Sequence, residues 1–76
     1  MKLFTTETCA YCPMVKKYLD IKGVEYEIVD TTHNPQLLHE AYEISGAVTV
    51  PQLLHNGRVI VGYNLAELVP FVNELA

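Results

Sequence analysis

The sequence predicts an α/β domain of order β-α-β-α-β-β-α, with three helices covering a four-stranded mixed sheet. Three observations predict it. Apolar residues switch between strand-like and helical spacing along the chain. An Asn56-Gly57 pair between two apolar runs marks a tight hairpin near the C-terminal end. The first strand, helix and second strand form a βαβ unit, which requires parallel strands and a right-handed crossover. Together these give the strand order 2-1-3-4, with the first and third strands central.

Each element has a local reason. Residues Lys2–Thr6 are a short apolar strand. A helix follows, with Val15, Tyr18 and Leu19 at helical spacing and Gly23 ending the pattern. "VEYEIVD" alternates as a second strand. In "HNPQLLHEAYEISG", Asn34 is a good cap and Pro35 suits a first helical position. Leu37, Leu38, Ala41, Tyr42 and Ile44 form the expected apolar face, ended by Gly46. "VPQLLHNGRVIVG" supplies the two hairpin strands. Leu65, Leu68, Val69, Val72 and Leu75 recur at helical spacing, with Pro70 among them, so the last helix is expected to kink or to start late.

At 76 residues the chain has room for one domain, spanning 1–76. Nine acidic residues against five basic ones give a net charge of −4, which argues against nucleic acid as a partner. No apolar run is long enough to span a membrane. "MKLFTTE" lacks a signal-peptide core, so the cytoplasm is the expected compartment. A monomer is expected. In a reducing compartment a cysteine pair is more often catalytic or metal-binding than a permanent staple.

Both cysteines lie in "CAYCP", residues 9–13. Pro13 costs nothing only within the first turn of a helix, so that helix is expected to begin near Cys9 or Ala10. Cys9 then sits at the helix N-terminus, with Cys12 one turn inside and within disulfide reach. A thiolate at that end faces unpaired N–H groups, and its pKa can fall from about 8.5 to roughly 3.5–7.5. Cys9 is therefore the expected attacking thiolate, and Cys12 the residue that resolves the mixed disulfide. A zinc site needs four ligands, and His33, His39 and His55 fall in loop, helix and strand without metal-like spacing to the pair. A staple would close a trivially short loop. A redox Cys-X-X-Cys beside a βαβ unit is the favoured reading.

At these residues the chain resembles the glutaredoxins. "ETCAYC" is similar to their "ETCPYC", with Ala10 in place of a proline; "TVPQL" resembles their cis-proline segment, and "VGYNLAEL" their glycine motif before the last helix. The resemblance covers essentially the whole chain and implies a thioredoxin fold and a thiol–disulfide oxidoreductase acting on protein disulfides. It places a cis Pro51 beside the disulfide, where the Val50 backbone can pair with a substrate strand. Read without the resemblance, Pro51 is an ordinary proline at the start of a strand.

The departures from the family pattern concern glutathione. A lysine is usual three residues before the first cysteine, where this chain has Thr6. A second glycine and an acidic pair are replaced within Val61, Gly62, Tyr63, Asn64 and Leu65. A glycine followed by an aromatic is closer to the NrdH-type redoxins, which draw electrons from thioredoxin reductase and pass them to ribonucleotide reductase. The electron source is thus expected to be thioredoxin reductase, with glutathione the alternative, and no metal or other tightly bound cofactor is expected. A rival reading is a binding module holding an Fe–S cluster between two copies. Against it, cluster-binding relatives usually use one cysteine plus glutathione.

Other residues have two readings each. Tyr11 shields the disulfide or is a surface aromatic. Tyr63 contacts a partner or packs in the core. Lys16 and Lys17 steer anionic partners or form a solvated face. Gly62 leaves backbone access beside the disulfide. Asn64 caps the last helix or, as a secondary role, helps hold glutathione. The histidines are expected at the surface, and Tyr18, Tyr26 and Tyr42 in or near the core.

Overall fold

The computed structural model describes residues 1–75. Strands β1 (Lys2–Thr5), β2 (Glu27–Asp30), β3 (Gln52–His55) and β4 (Arg58–Val61) form one sheet in the order β2-β1-β3-β4. β1 runs parallel to β2 and antiparallel to β3, and β3 is antiparallel to β4. Helices α1 (Cys12–Ile21), α2 (His39–Ser45) and α3 (Leu65–Leu75) complete the expected order. Among the described residues no helix is long and apolar enough to cross a membrane.

The sheet buries both faces, as alternation along its strands requires. Leu3, Leu53 and Ile60 point to one face and pack with Val15 and Leu19 of α1 and Leu68, Phe71 and Val72 of α3. Phe4 and Leu54 point to the other and pack with Leu38 and Ala41. At the hairpin, Asn56 and Gly57 both adopt positive φ, +50° and +76°, as a two-residue turn of this hand demands.

Four helical expectations are corrected. The 35–45 segment is split: a 3-10 turn spans Pro35–Leu38 before α2 begins. Asn34 makes no side-chain cap, and its Oδ1 accepts a hydrogen bond from the Gln36 amide instead. Only Leu38 and Ala41 of the expected apolar face are buried; Leu37, Tyr42 and Ile44 are exposed. The reason is size. A seven-residue helix crossing Phe4 and Leu54 covers too little sheet to bury a full stripe. Fourth, α3 does not start late. The Asn64 Oδ1 and carbonyl accept hydrogen bonds from its first free N–H groups, so the helix begins at Leu65 and carries Pro70 inside it. Leu68 and Val72 are buried as expected, while Leu65 and Val69 are exposed and Phe71 takes the remaining core place. The Leu75 side chain lies outside the described residues. Tyr18 and Tyr26 are half-buried.

Candidate redox site

The chain leaves β1 at Thr5 and reaches α1 through a loop that holds Cys9. Two tethers set this loop. The Thr31 N–H and hydroxyl both donate to the Thr5 carbonyl, at 2.8 and 3.0 Å, fixing the end of β1 to the end of β2. The Glu7 N–H donates to the Thr32 hydroxyl oxygen at 2.9 Å. That hydroxyl in turn donates to the Asp30 carboxylate at 2.6 Å, and the Thr32 N–H donates to the same oxygen at 2.9 Å. Hydrogen bonding from Thr32 holds the Asp30 carboxyl below its ordinary value of 3.8 against a small opposing effect of burial.

α1 begins at Cys12, later than the expected Cys9 or Ala10. The Cys9 N–H is committed to a turn with the Thr6 carbonyl, at 3.3 Å. Tyr11 takes the cap position, its carbonyl accepting from Met14 and Val15. Pro13 then falls at the second helical residue, where a missing N–H leaves nothing unsatisfied. The boundary moves, but the electrostatic consequence is preserved. Cys9 Sγ accepts a hydrogen bond from the Cys12 N–H at 3.1 Å, so the sulfur faces the first N–H of the helix. Cys9 and Cys12 form a disulfide with Cα atoms 5.5 Å apart. Cys9 is half-buried, whereas Cys12 is only 2% exposed beneath it.

The sheet register brings the proline segment to the same end of the molecule. Phe4 pairs with Gln52, so one residue further along Thr5 stands opposite Pro51, next to the start of the cysteine loop. The Val50–Pro51 bond is cis and Pro51 is fully buried. The Gly62 N–H donates to the Pro51 carbonyl at 2.7 Å, locking the two segments together. Gly62 has φ of +75°, a conformation that disfavours any side chain, and the space where a Cβ would stand is open. Tyr63 is half-buried against the α1–α3 core and lines a groove beside α1. Tyr11 is 57% exposed at the cap position of α1.

One organising residue is absent from the sequence reading. Gln52 is fully buried. Its amide nitrogen donates to the carbonyls of Ala47 and Thr49, at 2.8 and 2.7 Å, and its Oε1 accepts from Ser45 at 2.9 Å. It therefore braces the 46–50 loop that delivers Val50. The available signal was a glutamine at an inward position of an otherwise apolar strand. Thr31 and Thr32 carried no comparable signal, because Thr5 and Glu7, which they tether, lie 26 and 25 positions back along the chain.

Comparisons with known proteins agree with this geometry. Residues 1–60 match the family model described as glutaredoxin. An uncharacterised glutaredoxin-like 8.6 kDa protein in the rubredoxin operon of Clostridium pasteurianum is 31% identical over 68 residues, covering 90% of this chain and 91% of that protein. The crystal structure of a glutaredoxin from Archaeoglobus fulgidus superposes with a TM-score of 0.81 at 21% identity, over 93% of this chain and 83% of that one. A buckwheat glutaredoxin solved as a glutathione complex gives a TM-score of 0.68 at 26% identity, over 96% and 76% of the two chains. The fold is thioredoxin-like, and the chain belongs to the glutaredoxin family. It is a glutaredoxin-like redox protein with a Cys-X-X-Cys site able to form a disulfide.

Proposed function

We propose that the protein is a dithiol thiol–disulfide oxidoreductase that reduces disulfides in other proteins through Cys9 and Cys12. The observation that carries this reading is the Cys9 sulfur set against the Cys12 N–H at the start of α1, with the second sulfur buried one turn away.

In the reduced protein the Cys9 thiolate is stabilised by that N–H and by the positive end of the helix. It attacks one sulfur of a substrate disulfide. A Cys9–substrate disulfide forms, and the displaced substrate sulfur leaves as a thiolate that takes up a proton. Cys12 then loses its proton and attacks the Cys9 sulfur. The Cys9–Cys12 disulfide forms and the second substrate thiol departs. Two electrons have passed to the substrate. The Val50 backbone offers an edge on which the substrate strand aligns, and open Gly62 leaves room for it.

The oxidised pair must be reset by a two-electron donor. Thr6, Val61, Asn64 and Leu65 supply none of the charges that would meet glutathione's carboxylates and ammonium. Charge-assisted hydrogen bonds contribute about 1.5–3 kcal/mol each, less when exposed, so losing two weakens binding by ~100-fold. A flavoprotein such as thioredoxin reductase is the better donor, and ribonucleotide reductase is a candidate client. The second reading is an ordinary glutathione-dependent enzyme, favoured by the shared architecture with the buckwheat glutaredoxin–glutathione complex. The test is NADPH consumption with either thioredoxin reductase, or glutathione and glutathione reductase. Turnover with the first is expected. Rapid turnover with glutathione alone supports the second reading.

A further inference from the structure

Charge is unevenly placed on this chain. Three of its five basic residues, Lys16, Lys17 and Lys22, lie on or directly after α1, against one of its nine acids, Asp20. The rest of the molecule is acidic. Lys16 is near enough to Asp30 to act on its carboxylate. Lys17 and Lys22 serve the opposite flank of the helix. Lys17 lines a groove of about 370 Å³ together with Met14, Tyr18, Ile21 and Tyr63. The Lys22 ammonium stands 5.8 Å from the centroid of the Tyr18 ring.

The groove is apolar in its floor and open to solvent. Met14 is 46% exposed and Ile21 71% exposed. Met14, Lys17, Tyr18 and Ile21 follow helical spacing, so they form one stripe along α1. Tyr11 precedes Met14 by one turn and adjoins Cys12, which makes the stripe continuous with the redox pair. From Met14 to Ile21 a helix rises about 10 Å, the span of roughly three extended residues. A short segment leaving a disulfide docked at Cys9 would lie along this stripe, with an apolar side chain in the groove and acids against the two lysines.

We propose that the outer face of α1, from Tyr11 to Ile21 and flanked by Tyr63, docks an acidic segment with an apolar anchor adjoining the reducible disulfide of a partner protein. The proposal rests on the oxidoreductase reading above and adds a class of client to it. Acidic partners are repelled by the net charge of −4 unless a local cationic stripe receives them beside the thiols. Complementarity of this kind acts mainly on encounter rate and on choice of partner.

The experiment uses two synthetic peptides with the same intramolecular disulfide and the same neighbouring leucine, one flanked by glutamates and the other by lysines. Each is reduced by the pre-reduced full chain, alongside the uncharged bis(2-hydroxyethyl) disulfide. The acidic peptide should be reduced about tenfold faster per unit concentration than the basic one at low salt, with the gap closing in about 0.5 M salt. Lys17→Glu combined with Lys22→Glu should reverse the preference. Lys2→Glu, at a half-buried position paired with Glu40 at the far end of β1, should preserve it. Equal rates, a preference for the basic peptide, or an equal effect of Lys2→Glu overturns the docking surface. Failure to reduce even the uncharged disulfide overturns the oxidoreductase reading itself, so the two are told apart.

Discussion

Cys9 and Cys12 differ by position more than by chemistry. One sulfur meets solvent and a helical N–H, while the other is sealed under it. The asymmetry predicts a clean division in variants. Cys12→Ser should still attack a disulfide once and then stall as a mixed disulfide on Cys9, visible by intact mass. Cys9→Ser should show neither turnover nor adduct. The loop that carries Cys9 depends on Thr32, whose hydroxyl accepts from Glu7 and donates to Asp30. Because the Asp30 pKa is depressed by these bonds, their contribution is present above its ordinary value of 3.8 and is lost as pH falls through the lower folded value. Protection of the Glu7 amide, relative to an unstructured amide at the same pH, should therefore fall as pH drops below 3.8 and through the lower folded value, and Thr32→Val should remove it at neutral pH as well. Hydrogen exchange at Glu7 checks both. An unchanged Glu7 amide in Thr32→Val would remove the tether from the account.

At the scale of elements, what the sequence showed depended on how local the determining physics was. The hairpin was legible because Asn56 and Gly57 specify their own backbone. The strand order was legible because a parallel βαβ unit followed by a hairpin leaves few arrangements. The start of α1 was not, because its first N–H is met by a side chain three residues back across a loop. Exposure of Leu37, Tyr42 and Ile44 was not, because it depends on how little sheet α2 reaches. Gln52 was missed for the same reason: its partners belong to a loop whose path the sequence does not display. Two predictions follow from these elements. Gln52→Leu strands the carbonyls of Ala47 and Thr49 and the Ser45 hydroxyl, so it should cost about 2–4 kcal/mol and lower the Tm by ~10 °C or more. Pro70→Ala acts in the opposite direction. Pro70 is exposed and removes a donor from the interior of α3, so alanine should stabilise by about 1–3 kcal/mol, less what the unfolded chain gains in entropy. Thermal unfolding measures both, and a Pro70→Ala protein melting below the parent would contradict the helix assignment around it.

The whole molecule concentrates its chemistry at one end. The C-terminal end of β1, the start of α1, the cis-proline segment and the Gly62 turn converge there, while two apolar clusters on opposite faces hold the sheet that aligns them. At the other side, Arg58 pairs with Glu74 at 2.9 Å and lies over the Phe71 ring, fastening α3 to the hairpin. A rigid platform of this kind lets one sulfur be reactive and its partner wait. The most direct test is the pH dependence of alkylation of the reduced protein by iodoacetamide, with the modified residue assigned by peptide mass spectrometry. A single adduct on Cys9 is expected, with a midpoint clearly below the ~8.5 of a free cysteine. An adduct on Cys12, or a Cys9 midpoint at the free-thiol value, would contradict it.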